Sequence, residues 1–202
     1  MMKKSLLTLA VVLSAAALCG AEAKIKLPDP QRSGGMPIYE ALNTRMTVRK
    51  FTAEKISPEK LSTLLWAANG INRGNGKRTA PSAMNRQPIE IYVLTPEGAY
   101  FWNPADNTLE LRAEADLRAA AGRFAAPMYL ALVANFNTGA KEKFIGEDCG
   151  YVSQNIYLGC AASGLGTCAI GSITDEAKLA KTLNLDAKRR ILLTHVIGVP
   201  QK

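Results

Sequence analysis

The chain has 202 residues, 48% of them hydrophobic, and a formal net charge of +8 at pH 7, which indicates one globular domain with a sizeable core. Its Lys and Arg residues are scattered with no long basic run, so the charge favours an anionic cofactor over nucleic acid as a ligand. The four Cys form no CxxC pair and there is one His, which argues against a metal site.

The N-terminus has the pattern of a cleavable export signal. Lys3 and Lys4 precede an apolar stretch at residues 6–18, and Ala21-Glu22-Ala23 supplies the small residues that signal peptidase requires. The stretch is shorter than the roughly 20 residues of a membrane span, and a buried N-terminal helix is the alternative. With no twin-Arg pair present, we expect a Sec-type signal peptide at residues 1–23 and a periplasmic or secreted protein.

The mature chain begins with an extended lead-in that is followed by two helices. The lead-in, residues 24–37, is rich in Pro, Gly and charged residues, and the domain follows at residues 38–202. A short helix is predicted at residues 38–43. Ser57 is a favoured N-cap and Pro58 suits the first helical position, so a second helix is predicted to begin there.

Apolar runs and turn residues define the remaining elements. A long apolar run at residues 146–163 predicts a helix that is buried on nearly all sides. Strands and helices interleave, which indicates an α/β or α+β fold around one sheet. Strands are predicted at residues 89–94, 100–102, 108–111, 128–134, 167–171 and 191–199, helices at residues 116–121, 146–163 and 175–183, and loops at residues 70–81 and 103–107.

Four segments have the composition of a ligand site, and the first is residues 45–51. In an extended chain Arg45, Thr47 and Arg49 point to the same side, which places two guanidinium groups and a hydroxyl together. Such a group is a good clamp for an anion, although a solvated charged strand is an equal alternative.

The second segment, residues 80–88, is a loop that two prolines make rigid. Ser82, Asn85 and Gln87 offer hydrogen bonds that suit the edge of a heteroaromatic ring. The alternative is an ordinary polar turn that leads into the next strand.

The third and fourth segments begin and follow the long helix. Residues 146–155 include Gln154 and Asn155, which we interpret as partners for backbone or interface groups. Residues 164–172 contain glycines that end the helix and let the main chain approach a ligand closely. They lack the pattern of a phosphate-binding loop.

In their order and spacing these segments resemble the nitroreductase-like family of FMN-dependent flavoproteins. The resemblance rests on R-x-[ST]-x-R-x-F from Arg45, P-S-x-x-N-x-Q-P from Pro81 and G-L-G-T-C-x-I-G from Gly164, and it extends over residues 37–200. Residues 64–83 look most like the branch that includes dehydrogenases oxidising azoline rings in modified peptides. The resemblance implies an α+β fold with a mostly antiparallel central sheet flanked by helices, and FMN at a homodimer interface.

The resemblance also implies roles for single residues. Arg45, Thr47 and Arg49 look like the phosphate and ribityl clamp, and Gly171 and Ser172 look like backbone donors to the redox-active ring nitrogen and its neighbouring carbonyl. The flavin would carry the chemistry, so no side chain need act as a nucleophile. The cofactor-binding residues that the resemblance implies are Arg45, Met46, Thr47, Arg49, Pro81, Ser82, Asn85, Gln87, Gly171 and Ser172, with Arg86 a further polar candidate; Pro81, Ser82 and Asn85 would lie against the flavin of the other subunit.

The chain departs from the family pattern in three places. Met46 stands where many members have a second basic residue, so the clamp is thinner. Lys202 is a weak counterpart of the Arg or Lys that completes the phosphate site beyond the last strand. Residues 134–144 form little more than a short loop where relatives with broad nitroaromatic activity often carry a helical lid, which suggests an open site.

We therefore expect an exported, homodimeric FMN-dependent oxidoreductase that transfers hydride between flavin and a small organic substrate, by nitro or quinone reduction or by dehydrogenation. A flavin- or ligand-binding module with little turnover is the alternative. NAD(P)H is a possible donor but is scarce outside the cytoplasm, so a membrane or secreted redox partner could replace it. Cys168 is expected to pack as a small apolar residue in the turn rather than to take part in redox chemistry. His195 is expected to be a core or interface histidine rather than a general acid.

Overall fold

A computed structural model describes residues 22–201 of the chain. The predicted signal peptide, except Glu22 and Ala23, and Lys202 lie outside the described residues. The strands are β1 (Lys24–Lys26), β2 (Ile89–Leu94), β3 (Ala99–Asn103), β4 (Thr108–Ala113), β5 (Met128–Asn135), β6 (Gly166–Ile170) and β7 (Arg189–Gly198). The α-helices are α1 (Ile38–Thr44), α2 (Pro58–Asn69), α3 (Arg118–Ala121), α4 (Glu142–Ala162) and α5 (Glu176–Thr182), with short 3-10 turns at Ala83–Asn85 and Phe136–Thr138.

The strands form one sheet in the order β1-β4-β3-β2-β5-β7-β6, and all neighbouring strands are antiparallel. This confirms the expectation of an α+β fold around a mostly antiparallel sheet. Strand β5 lies inside the sheet between β2 and β7, and all of its residues except Asn135 are buried, because both faces of the sheet are covered. No helix within residues 22–201 is long and apolar enough to cross a lipid bilayer.

Each face of the sheet has its own apolar core. On one face, Leu64 and Leu65 of α2 and Ile156 of α4 pack with Ile91 and other sheet residues. On the opposite face, residues of α3 and α5, including Leu179, pack with the alternate side chains of the same strands. Helix α4 therefore lies on one side of the sheet, and α5 lies on the other.

The ends of two helices show how closely local sequence determines structure. Helix α2 begins at Pro58 as predicted, and the side chain of Ser57 accepts a hydrogen bond from the backbone N–H of Lys60 at 3.3 Å. Helix α4 ends before Gly164, whose φ of +68° permits the backbone N–H of Leu165 to reach the carbonyl of Cys160 at 2.8 Å.

Two sequence expectations need adjustment. The lead-in contains β1, which pairs with β4 at the edge of the sheet, so part of this extended segment belongs to the fold. Helix α4 begins at Glu142, four residues before the predicted start, and it is not buried on nearly all sides: Gly150, Tyr151 and Gln154 are exposed in the single chain. This helix therefore has one buried face and one face that is exposed in the single chain.

His195, in β7, is a buried residue that links β7 to α4 and β6. Its Nε2 lies 2.9 Å from Ser153 Oγ on α4, and its Nδ1 lies 3.0 Å from Thr167 Oγ1 on β6. Burial lowers the pKa of the imidazole from its ordinary value to about 3, so the ring is neutral at neutral pH. Cys168 is likewise buried, although it lies within β6 and not in a turn, so both residues pack in the core.

The buried imidazole predicts a pH dependence of the free energy of unfolding. The pKa of the ring in the folded protein lies below its value in the unfolded chain, which is near 6.5. At higher pH the ring is neutral in both states, so its titration does not change the free energy of unfolding. As the pH falls from 6.5 towards about 3, protonation of the unfolded chain progressively lowers that free energy. The slope of the free energy of unfolding against pH approaches about 1.4 kcal/mol per pH unit in this range. We expect His195→Gln to be less stable than wild type at neutral pH, yet to lose less stability on acidification, as measured by urea unfolding.

Ser153→Ala is the matched control, because it removes one hydrogen bond to the ring but keeps the imidazole. It should lower the free energy of unfolding by about 1 kcal/mol and retain the slope of the wild type. Parallel pH curves for wild type and His195→Gln would contradict the assignment.

Candidate cofactor site

The segment after α1 runs beside β6 as an extended chain. The backbone N–H of Val48 donates to the carbonyl of Thr167 at 2.9 Å, and Thr47 forms an isolated parallel bridge with Thr167. Val48 packs so closely on Gly166 that a Cβ added there would lie 2.7 Å from the Val48 Cβ. Gly166 is therefore required by protein packing, which the sequence pattern could not distinguish from the approach of a ligand.

Tyr157 of α4 organises the polar side chains of this segment. The Arg45 guanidinium lies over its ring, 5.3 Å from the centroid, and the Thr47 hydroxyl lies 3.4 Å from its phenolic oxygen. The same oxygen accepts a hydrogen bond from the backbone N–H of Ala169 at 3.0 Å. Arg45 and Thr47 thus share one side of the segment, as predicted, and Tyr157 ties that side to β6.

The cations of this segment have no anionic partner in the part of the chain that the structure describes. None of the ion pairs between residues 22 and 201 involves Arg45 or Arg49. Arg49 is exposed, and Met46 is 66% exposed between the two cations. Arg45, Arg49 and Thr47 therefore offer two uncompensated positive charges and a hydroxyl, a set that suits a phosphate group.

Gly171 and Ser172 follow directly after β6 and are exposed. At about 3.3 Å per residue, Gly171 lies roughly 13 Å along the strand from Thr167. A Cβ added at Gly171 would meet no atom within 4 Å, so the space over this backbone is open. Strand β6 thus connects the cationic segment to an open backbone end.

Asp148 of α4 holds the second predicted loop in place. Its carboxylate is buried and accepts hydrogen bonds from the Ser82 hydroxyl and from the backbone N–H of Ala83, both at 2.9 Å. The Ser82 oxygen in turn accepts from the backbone N–H of Gln87 at 2.8 Å. Ser82 therefore serves first to shape the loop.

The side chain of Gln87 is also engaged within the protein. Its Oε1 accepts from Arg78 Nε at 2.9 Å, and its Nε2 donates to the Gly76 carbonyl at 3.1 Å and to Asn85 Oδ1 at 3.0 Å. Pro81 and Asn85 are exposed. Of the four loop residues that the resemblance implies, these two are the most accessible to a ligand.

This loop has an unusual backbone that the sequence did not predict. Met84, Asn85 and Gln87 have φ values of +52°, +53° and +49°, in the left-handed region that residues other than Gly seldom adopt. The hydrogen bonds to Asp148 and Arg78 hold this conformation. The loop is thus strained and fixed by its neighbours, as is common for loops that contact ligands.

The single chain does not bring all the predicted site residues together. Asp148, which holds the loop, and Tyr157, which holds the cationic segment, lie nine residues apart on α4, or roughly 14 Å along the helix. Asp148, Tyr157 and Arg78 organise the site and were not predicted from the sequence. The one available signal was that Asp148 and Tyr157 lie nine residues apart in the segment that precedes the glycine-rich turn.

Comparisons with known proteins give consistent results. The family model described as the nitroreductase family matches residues 42–199. A nitroreductase-like protein of Methanocaldococcus jannaschii is 29% identical over 173 residues, which cover 76% of this chain and 86% of that protein.

Solved structures resemble the chain over most of its length. A nitroreductase-like protein from Ralstonia eutropha JMP134 is 35% identical with a TM-score of 0.84, and the match covers 90% of this chain and 91% of that one. Another from Desulfovibrio desulfuricans, solved in complex with FMN, is 24% identical with a TM-score of 0.63, covering 84% of this chain and 89% of that one. The latter similarity concerns the fold.

Proposed function

Because the chain belongs to the nitroreductase family, we propose that it is an FMN-dependent oxidoreductase that transfers hydride between the flavin and a small organic substrate. The observation that carries the proposal is the cluster in which Tyr157 aligns Arg45 and Thr47 beside β6. Bound FMN would supply a planar acceptor for a hydride.

The residues that are present fit this cofactor. Arg45, Arg49 and the Thr47 hydroxyl can hold its phosphate and ribityl chain, since both guanidinium groups lack an acidic partner among residues 22–201. The backbone N–H groups at Gly171 and Ser172 can donate to the ring, where negative charge develops on reduction. Gly171 and Ser172 are exposed and the space over Gly171 is open, which leaves room for the flavin ring.

The clamp can be tested by titrating FMN into the mature chain and following flavin absorbance and fluorescence. We expect Arg45→Ala and Arg49→Ala each to raise the dissociation constant of FMN about tenfold, because each removes a charge-assisted contact to phosphate. Lys50→Ala is the control: it removes a neighbouring cation from the other side of the extended segment and should change the constant less than twofold. A wild-type chain that gains no flavin spectrum would refute the cofactor assignment.

We further propose that the protein is a homodimer in which each flavin contacts both chains. The large apolar side chains that are exposed among residues 22–201 are concentrated on α1, α4 and the two ligand-site segments: Ile38, Tyr39, Leu42, Met46, Met84 and Tyr151. Helix α1 packs on α4, which places the exposed apolar side chains of these two helices in the same region of the surface. Burying this face against a second copy would bring one chain's loop near the other's cationic segment.

Leu42→Glu tests this interface, because a charge in an apolar contact opposes association. We expect a dimer for the wild type and a monomer with weaker FMN binding for the variant, by size-exclusion chromatography with light scattering. Ala177→Glu, an exposed change on α5 at the opposite face of the sheet, should leave the dimer intact. A wild-type monomer that binds FMN tightly would exclude the shared site.

Two observations bear on the direction of the reaction, and they favour opposite directions. The likeness of residues 64–83 to azoline-oxidising dehydrogenases favours substrate oxidation, whereas the family name favours nitro or quinone reduction. Two assays separate reduction from oxidation. The first follows oxidation of NADH or NADPH with a nitroaromatic acceptor, and the second follows reduction of bound flavin by candidate substrates. A flavin-binding module with little turnover is the second candidate, and the exposed Met46 at a position that is basic in many members supports it.

Export belongs to the proposal as well, and it rests on residues 1–23. Outside the cytoplasm the enzyme would acquire FMN after export and would need a membrane or secreted redox partner, or an external substrate to oxidise. Expression of the full chain in a bacterium and N-terminal sequencing should give mature protein that begins at Lys24 in the periplasmic or culture fraction. Full-length protein confined to the cytosol would overturn this part.

A further inference from the structure

The chain between residues 61 and 89 has an uneven distribution of charge. It contains Arg73, Lys77, Arg78 and Arg86 and no Asp or Glu. This stretch includes the loop after α2 and the strained loop that Asp148 holds. Four cations without an acid in the same segment leave a locally positive surface.

These cations also lack acidic partners from elsewhere in the described chain. None of the ion pairs within residues 22–201 involves any of the four. Arg73 donates to Asn72 Oδ1 at 2.9 Å and to the Arg78 carbonyl at 2.8 Å, and half-buried Arg78 donates to Gln87 Oε1 and to the Asn69 carbonyl at 3.0 Å. Their hydrogen bonds are to neutral acceptors, so their charges remain uncompensated.

The loop that carries the cations is braced by its own hydrogen bonds. Trp66 Nε1 donates to the Ile71 carbonyl at 3.2 Å, and the backbone N–H of Thr79 donates to the Gly70 carbonyl at 2.9 Å. Asn72 and Lys77 are joined by a further backbone bond of 3.1 Å. The cations are therefore presented on a fixed frame, which lowers the entropic cost of binding a ligand.

Three of the cations line a pocket that adjoins the loop of residues 80–88. Its volume is about 230 Å³, and its walls include Arg73, Lys77 and Arg78 together with Pro81, Ser82 and Asn85. Pro81 and Asn85 are the accessible loop residues of the candidate site. Arg86 points elsewhere, since its guanidinium lies near Gly139.

We propose that this pocket binds the anionic group, a carboxylate or a phosphate, of the substrate that reacts at the flavin. The inference rests on the proposed function and adds the chemical class of the substrate: an organic anion rather than a neutral aromatic compound. This anion belongs either to the compound that oxidises the flavin or to the compound that reduces it. Both would present a negatively charged group to the cations of the pocket.

The nearby acidic groups do not cancel this charge. Asp148 is buried and committed to Ser82 and Ala83. Asp29 and Asp106 line the neighbouring pocket, which Arg73 also borders, but Asp106 is paired with Lys24 at 2.8 Å and no ion pair within residues 22–201 joins Asp29 to Arg73. Glu90 lines a further pocket with Arg78, but it is paired with Arg189 at 2.9 Å. The pocket beside Pro81 has no acidic residue in its walls.

The experiment compares matched anionic and neutral substrates. With flavin-loaded protein, second-order rate constants are measured by stopped flow for 4-nitrobenzoate against 4-nitrobenzamide as oxidants, and for NADPH against 1-benzyl-1,4-dihydronicotinamide as reductants. In Arg73→Gln/Lys77→Gln, we expect the anionic-to-neutral ratio to fall roughly tenfold for one of the two pairs, because two charges near the anion are lost. The pair that responds identifies the source of the anion.

Lys178→Gln/Lys181→Gln on α5 is the control, since it removes the same charge from the opposite face of the sheet and should leave both ratios unchanged. The proposal would be overturned if both anionic-to-neutral ratios were unchanged in Arg73→Gln/Lys77→Gln. It would also be overturned if the variant only lost affinity for FMN, so that the reactions of all four compounds slowed equally. Calorimetric titration of 4-nitrobenzoate into wild type and variant, with or without flavin, tests the pocket separately. A chain that binds no flavin but binds 4-nitrobenzoate through Arg73 and Lys77 would refute the proposed function and keep the pocket.

Discussion

Helix α4 is the constraint on which both halves of the candidate site depend. It is one uninterrupted helix of 21 residues, so the separation between Asp148 and Tyr157 is fixed by its rise per residue. Asp148 holds the strained loop through two hydrogen bonds, and Tyr157 holds the cationic segment through its ring and hydroxyl. Burial of the remaining face against α2 and the sheet fixes this helix, and the site geometry follows from that packing.

The buried carboxylate of Asp148 illustrates how the fold maintains a strained loop. Left-handed backbone at a residue other than Gly costs about 1–2 kcal/mol, and the loop has three such residues. A hydrogen bond to a charged group contributes about 1.5–3 kcal/mol, so the two bonds to Asp148 offset a strain of this size. The loop conformation is therefore imposed by α4 and is not an intrinsic preference of its sequence.

The sequence predicted the elements that local interactions determine. The Ser57 cap, the hairpin at residues 103–107 and the apolar strand at residues 128–134 each depend on neighbours within a few positions. The start of α4 was misplaced because Lys141, its N-cap residue, makes no side-chain cap and gives no recognisable signal. Asp148 and Tyr157 were missed because their partners lie 66 and 110 residues away, which no local pattern encodes.

The arrangement of charge supports a site completed by a second chain. The cationic segment near Tyr157 and the basic pocket near Pro81 are both uncompensated, yet they sit toward different ends of α4. A single chain therefore presents two positive regions that one small cofactor would not easily neutralise together. If a second copy covers the apolar face of α1 and α4, the phosphate of FMN can occupy the segment of one chain while the partner's loop faces the ring. The basic pocket beside that loop then remains for an anion of a different molecule, which is the reason that the substrate and not the cofactor is assigned to it.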